Sequence, residues 1–134
     1  MSTLPRPFAR SLIVCDRVVN DPNNSNRVSL IGVVSTIRTL SRPAFPAIRP
    51  LLSVFAQLTE CRGAGLLWVE VRQADTDRVL FRTRIRTVTF PSDPLAVHGV
   101  VFRLVNLVFP TAGLYWVQLW FDMEILAQHP LKVI

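Results

Sequence analysis

The chain has 134 residues, a length typical of one domain. Half of the residues are hydrophobic and only 18% are charged, which excludes an intrinsically disordered chain. No apolar run approaches the roughly 18–20 residues that a membrane-spanning helix requires, so we expect no membrane span. The formal net charge is +6, and Lys132 is the only lysine among 15 basic residues. This basic balance favours contact with acidic proteins, nucleic acid or anionic lipid, although a coding bias toward arginine would also produce it.

The N-terminus does not read as a signal peptide. Arg6 and Arg10 precede a short apolar stretch, but Asp16 and Arg17 interrupt it before any cleavage site. We therefore expect a cytoplasmic protein with a single domain over residues 1–134, in which residues 1–10 form a flexible N-terminal arm. Two cysteines do not make a disulfide framework.

Short apolar runs rich in Val, Ile, Leu, Phe and Trp follow one another at 8- to 14-residue spacing, separated by turn residues. The runs cover residues 11–19, 28–40, 51–60, 66–73, 79–90, 98–109, 114–121 and 125–134. This spacing predicts an all-β fold, a single antiparallel β-sandwich of about eight strands with immunoglobulin-like or Greek-key topology.

A turn before the seventh run supports that topology. Pro110, Gly113 and Tyr115 form a Pro-x-x-Gly-x-Tyr sequence, which resembles the corner of immunoglobulin-like sandwiches. In that corner the tyrosine hydroxyl bonds back to nearby backbone, so we expect Tyr115 to be structural.

Several short motifs resemble an uncharacterised family of small bacterial β-sandwich domains with a CD-x-V…VSLIGV…FP pattern. The motifs are residues 15–19, 28–33, 45–47 and 52–56. The resemblance implies a β-sandwich in a bacterial cytoplasm and carries over no catalytic residue. It marks Asp16, which we expect to bond an arginine or turn backbone, and Gly32, which we expect to permit a bulge or close packing.

No catalytic set holds together in the sequence. His98 and His129 lack the close His or Cys neighbours that a metal site uses. A thiol enzyme or small hydrolase built on Cys61, His98 and Asp93 remains only as a third class. We expect no catalytic residue, no metal and no cofactor, and therefore no enzyme.

The fourth and fifth runs predict a basic strand face. Alternation places Leu67, Val69 and Val71 on one side of the sheet and Trp68, Glu70 and Arg72 on the other. Arg82, Arg84 and Arg86 should then share a face, with Glu70 opposite Arg82 and Trp68 opposite Arg84. The candidate anion or nucleic-acid site is Trp68, Arg72, Arg82, Arg84 and Arg86. A solvated face partly neutralised by Glu70, or a face for an acidic protein, explains the same pattern.

The sixth and seventh runs predict an apolar face. Tyr115, Val117, Leu119 and Phe121 should point one way, and Trp116, Gln118 and Trp120 the other. A tight hairpin would set Leu107 beside Trp116 and Arg103 beside Trp120. The candidate partner-binding residues are Arg103, Val105, Leu107, Trp116, Gln118 and Trp120. Coverage by the Pro-rich segment 42–50 or by the N-terminal arm is the competing interpretation.

These patterns favour a non-enzymatic protein–protein interaction or assembly module of a bacterial cytoplasm. We expect a protein partner or a homo-oligomer, joined through the tryptophan face. The alternative is a β-module that binds an anionic ligand or nucleic acid through the arginine-rich strand face.

Overall fold

The computed structural model describes residues 6–40, 42–90 and 92–134, and in these ranges it contains ten β-strands and no helix. The strands are β1 Phe8–Asp21, β2 Asn24–Val33, β3 Thr36–Ile37, β4 Ala47–Thr59, β5 Ala64–Gln73, β6 Val79–Arg82, β7 Arg86–Thr89, β8 His98–Phe109, β9 Gly113–Phe121 and β10 Glu124–Val133. The predicted all-β class is confirmed.

The strands form two sheets. One has four strands in the order β2-β1-β4-β8, and the other has the order β3-β10-β9-β5-β6, with β7 also pairing to β5. All the ladders are antiparallel except the short pair of β3 and β10, which runs parallel. The prediction of antiparallel strands throughout is therefore wrong at β3.

The count of about eight strands is also too low, because two predicted strands are each broken in two. The run 28–40 leaves the four-stranded sheet after Val34, whose N–H donates to the Val14 carbonyl. It then joins the six-stranded sheet, where Ser35 accepts from the Lys132 N–H. The run 79–90 breaks at residues 83–85 between β6 and β7. Apolar content predicts extended chain in both runs, but it does not show that the first run changes sheet or that the second run is interrupted.

One apolar core draws on both sheets. Its members from the four-stranded sheet include Leu52, Val54, Phe102 and Leu104, and its members from the six-stranded sheet include Leu67, Val69, Val71, Tyr115, Val117 and Leu119. All six side chains of the second group are fully buried. The predicted inward faces of β5 and β9 are therefore confirmed, since a period of two puts alternate side chains on one face.

The predicted hairpin between the sixth and seventh runs is wrong. β8 pairs with β4, whereas β9 pairs with β5 and β10 in the other sheet. Leu107 lies opposite Arg49 and Arg103 opposite Ser53, so neither meets a tryptophan of β9. The short connection of residues 110–112 turns the chain from one sheet to the other, and local spacing cannot distinguish that arch from a hairpin.

The sidedness of β8 changes halfway along the strand. Phe102 and Leu104 point into the core, but so do Leu107 and Phe109, which alternation assigns to the opposite face. Asn106 lies between the two pairs and has a φ of 55°, a left-handed conformation that Asn tolerates better than most residues. Strict alternation therefore holds only as far as Asn106, and beyond it Leu107 and Phe109 lie in the core.

The corner at Tyr115 forms as predicted. The Tyr115 hydroxyl donates a 2.6 Å hydrogen bond to the Thr111 carbonyl, four residues upstream. The Tyr115 ring also packs edge-on against Phe109, with centroids 5.0 Å apart. Tyr115 therefore ties the start of β9 to the end of β8.

Asp16 and Gly32, the positions marked by the family resemblance, lie against each other. A Cβ at Gly32 would lie 2.2 Å from Asp16 Oδ2, and the Gly32 φ of 68° is one that other residues rarely adopt. The Asp16 carboxylate accepts a hydrogen bond from Arg49. Both expectations are confirmed, namely an aspartate bonded to an arginine and a glycine required for close packing.

The N-terminal segment is already part of the sheet where the structure describes it. β1 begins at Phe8, and Arg6 forms a 2.7 Å ion pair with Glu124. The rest of the predicted arm, residues 1–5, lies outside the described residues. Within the described ranges, no helix is long and apolar enough to cross a membrane.

Candidate functional site

The outer face of the six-stranded sheet carries a tryptophan pair. Trp68 of β5 lies directly opposite Trp120 of β9. Their ring centroids are 5.9 Å apart and their planes are 8° from parallel, so the two indoles stack. Trp68 is only 4% exposed, which leaves it little surface for a ligand.

A buried glutamate organises the neighbouring charges. Glu70 is 2% exposed and accepts hydrogen bonds from Trp68 Nε1 at 2.8 Å, Arg72 at 2.9 Å and Arg82 Nε at 3.2 Å. Burial alone would raise the pKa of Glu70, but the hydrogen bonds from Trp68 and Arg72 and the charges of Arg82 and Arg72 outweigh it, so the pKa lies below its ordinary value. Glu70 is therefore an ionised anchor for two arginines.

The two faces predicted from the sequence meet on this surface. Trp116 lies opposite Arg72, and Gln118 lies opposite Glu70, so the outer side chains of β9 and β5 form one continuous row of pairs. Gln118 accepts from Trp120 Nε1 at 3.2 Å and donates to Gln128 of β10 at 3.2 Å. We call Trp68, Glu70, Arg72, Arg82 and Trp120 the glutamate cluster, in which Glu70 accepts from Trp68, Arg72 and Arg82.

The predicted arginine ladder is broken by a one-residue shift. Arg82 lies opposite Glu70 as predicted, but Arg86 lies opposite Leu67, whose side chain faces the core. Arg84 falls in the break and has no ladder partner, so the prediction that it faces Trp68 is wrong. At this break the Val69 N–H donates a 2.9 Å hydrogen bond to the hydroxyl oxygen of Thr83, which takes the place of a backbone carbonyl.

Because of this shift, Arg86 reaches across to the other sheet. Its guanidinium lies 4.4 Å from the centre of the Phe102 ring, in cation–π geometry. It also donates a 2.6 Å hydrogen bond to the Val101 carbonyl of β8. Arg86 therefore links the β7 edge of one sheet to the β8 edge of the other.

A cleft of about 940 Å³ opens where these two edges meet. Its described lining is Val18, Asn20, Phe81, Arg82, Thr83, Arg84, Ile85, Arg86, Val101, Phe102, Arg103 and Val105. We call it the arginine cleft, because four of these residues are arginines and none is acidic.

Two of the four arginines are uncommitted. Within the described residues, the side chains of Arg84 and Arg103 form no ion pair and no hydrogen bond, and both residues are exposed. Arg82 and Arg86 are held by Glu70 and by β8, respectively. The cleft therefore combines two positioned guanidinium groups with two that are free to meet a ligand.

Part of this cleft follows from the sequence. Arg82, Arg84 and Arg86 were predicted as one group and do line it, although on different faces of the chain. Arg103 was predicted for a protein interface and lies with them instead. Val18 and Asn20 of β1 were not predicted, since no sequence signal links them to β8.

The six residues predicted as one partner-binding patch are divided. Arg103 and Val105 lie on β8 in the four-stranded sheet, while Trp116, Gln118 and Trp120 lie on β9 in the six-stranded sheet. Leu107 is 1% exposed in the core and can contact no partner. Trp116 and Trp120 remain half-buried on the outer surface.

The thiols and histidines form no reactive group. Cys15 and Cys61 are buried, and burial raises the pKa of both thiols, assisted at Cys15 by the charge of Asp16. His98 packs against Phe90, with ring centroids 5.4 Å apart. Among the described residues, no three His, Cys, Asp or Glu side chains cluster as a metal site would need.

The sequence matches a known family over most of its length. Residues 10–134 match the model of the Family of unknown function (DUF6941). The chain belongs to this family, which confirms the resemblance seen in its motifs. No similar protein was found among the curated proteins.

One solved structure of similar shape is Pseudomonas fluorescens alkylpurine DNA glycosylase AlkC bound to DNA containing an abasic site analog. The superposition has a TM-score of 0.47 and 8% sequence identity, and it covers 91% of this chain. The chain spans 30% of that protein's length. A likeness this distant carries no information about activity.

Proposed function

We propose that this protein is a non-enzymatic binding module of the bacterial cytoplasm that holds an anionic ligand in the arginine cleft. The observation that carries the proposal is the gathering of Arg82, Arg84, Arg86 and Arg103 around one cleft with no acidic residue in its described lining. Like charges repel, and of these four arginines only Arg82 has a carboxylate partner, Glu70, among the described residues. An anion that enters the cleft would therefore be stabilised by the other three.

The chemistry of arginine supports a phosphate or carboxylate ligand. A guanidinium presents five donors in a planar fork that fits these groups in a bidentate manner. Arg84 and Arg103 are free to make such contacts, whereas Arg86 is held rigid against Phe102 and Val101. The cleft thus offers both positioned and adaptable donors.

Two further features support a binding module of this type. Nucleophilic thiol chemistry requires a thiolate at neutral pH, and the raised pKa values of Cys15 and Cys61 oppose it. The bond from Tyr115 to Thr111 and the core shared by two sheets support an immunoglobulin-like sandwich, a scaffold that commonly displays binding surfaces.

The test uses inorganic tripolyphosphate as a small polyanion, titrated into the protein by calorimetry at low salt. The double variant Arg84→Ser/Arg103→Ser should bind it at least about tenfold more weakly, since each charge-assisted contact contributes about 1.5–3 kcal/mol. Arg62→Ser is the single-charge control, because Arg62 is also exposed and lies outside the lining of the cleft.

Binding by the double variant that equals wild-type binding would overturn the proposal. A loss of affinity in the Arg62→Ser control as large as in the double variant would do so too, because it would show attraction to net charge alone. The affinity should also fall steeply as salt rises.

A second candidate function is association with a protein partner or a second copy of the chain. It is favoured by two exposed cross-strand pairs on the outer face of the four-stranded sheet, Ile48 with Val108 and Leu51 with Val105. These four side chains are 41–62% exposed, and β8 lies at the edge of its sheet. Apolar surface beside an unpaired edge is typical of an interface.

Light scattering after size exclusion tests this candidate. Wild type should gain mass with concentration but hardly respond to salt, and Val105→Lys should remain a monomer. Leu95→Lys is the control, since Leu95 is also exposed but lies in the loop before β8. A strictly monomeric wild type at high concentration would exclude a homo-oligomer.

A further inference from the structure

The arginine cleft continues into a second cavity. This cavity has a volume of about 780 Å³ and lies at the other end of the β8 outer surface, near His98 and Gln57. Asn20 and Val101 line both cavities, so the two meet at these residues. Together they form one groove that follows β8 beside the β1–β2 hairpin.

The groove has the length of a polymer site. Its wall on β8 runs from Val105 to His98, which at the rise of a β-strand spans about 23 Å. A single phosphate or a nucleotide would fill only part of it. About four nucleotides of extended strand fit this length, at the lower end of the site sizes known for single-strand binding domains.

The far end of the groove is also basic. Arg10 lines the second cavity, is exposed, and makes no ion pair among the described residues. No acidic residue lines the described part of this cavity either. Positive charge is therefore present at both ends, with the mainly apolar wall of Val101 and its neighbours between them.

An extended peptide fits the groove less well. Peptides that bind beside an edge strand pair with its backbone, and Arg86 already occupies the Val101 carbonyl of β8. A phosphate chain needs no backbone pairing, and its bases can pack on apolar groove walls such as half-buried Phe81. A duplex would need a wide open face, whereas this groove lies between a hairpin and a sheet edge.

We infer that the groove binds single-stranded nucleic acid, with its phosphates running from Arg84 and Arg103 to Arg10. This inference rests on the proposed function, because it uses the arginine cleft as one end of the site.

Fluorescence anisotropy with labelled oligodeoxythymidylates of two, four and eight nucleotides tests it. Affinity should rise from the two-mer to the four-mer, which fills the groove, and change little from the four-mer to the eight-mer. Arg10→Ser should weaken the eight-mer by about fivefold and lower the salt slope by about 0.7, while the two-mer is unaffected. Arg84→Ser/Arg103→Ser should weaken all three lengths, and Arg62→Ser none.

The possible results separate the two proposals. If Arg10→Ser behaves like Arg62→Ser while the cleft double variant still loses the two-mer, the extended strand is wrong and the anion cleft stands. If the double variant binds every length as wild type does, both are wrong. Competition by octaglutamate equal to that of the eight-mer, or tighter binding of a duplex of equal length, would overturn the single-strand assignment.

Discussion

Two groups of arginines have opposite environments, although Arg82 of the first group and Arg84 of the second are neighbours but one in the chain. Arg72 and Arg82 surround a buried carboxylate in the glutamate cluster, and their charges are neutralised there. Arg84 and Arg103 face a cleft with no acidic residue in its described lining. The first group is paired within the fold, whereas mutual repulsion in the second group costs free energy unless an anion is present. Counter-charge, and not residue type, separates a structural arginine from a binding one.

Removing the negative charge of Glu70 should have the largest effect on the stability of the protein. Glu70→Gln leaves Arg72 partly buried without its carboxylate and should lower the free energy of unfolding by about 3 kcal/mol. Urea denaturation measures this loss. Arg82→Gln is the comparison variant and should cost less than about 1 kcal/mol, because the Arg82 side chain is 56% exposed and its pairing is screened. Equal losses in both variants would contradict the central role of Glu70.

Changing the one-residue shift at Thr83, which lies between Arg82 and Arg84, should have the next largest effect on stability. Thr83→Val keeps the shape of the side chain but leaves the buried Val69 N–H without its acceptor, at a cost of about 1–2 kcal/mol. Anion binding should also weaken, because the shift at Thr83 turns Arg86 toward β8. Thr87→Val, at an exposed position of β7, is the control in the same two assays.

Acidic pH should reduce the contribution of Glu70 to the free energy of unfolding. The pKa of Glu70 is lower in the folded protein than its ordinary value of 4.5. Its stabilisation is therefore complete above that value and is lost as the pH falls from 4.5 through the folded pKa. The stability difference between wild type and Glu70→Gln should shrink between pH 5 and pH 3. A difference that stays constant over this range would show that folding does not lower the pKa of Glu70.

The cleft arginines should have the smallest effect on stability. Arg84→Ser and Arg103→Ser each remove an exposed side chain without a partner among the described residues, so the free energy of unfolding should change by less than about 0.5 kcal/mol. A small gain would fit the relief of charge repulsion. A loss above about 1 kcal/mol would show that these residues are structural like those of the glutamate cluster.

Part of this arrangement could be predicted from the sequence. Strand β8 has the bounds that its apolar pattern predicts, and the pairing of Glu70 with Arg82 follows from a short turn between two alternating runs. Arg82, Arg84 and Arg86 are predicted as one group, but the shape of the cleft could not be predicted, because it depends on the one-residue shift at Thr83. Nothing in the pattern of residues 79–90 distinguishes a regular strand from one in which a threonine hydroxyl replaces a carbonyl.

The sequence alone determined which segments are extended and which side chains of β5 and β9 face inward, because a period of two is a local property of the backbone. The tertiary structure decided which sheet each strand joins. β8 and β9 are apolar on both sides and are separated by three residues, so local energies allow a hairpin or an arch. In the folded protein the chain forms the arch, and Tyr115 packs against Phe109 beside it. Because the two strands then belong to different sheets, Arg103 lies in the cleft and Trp120 lies on the other sheet.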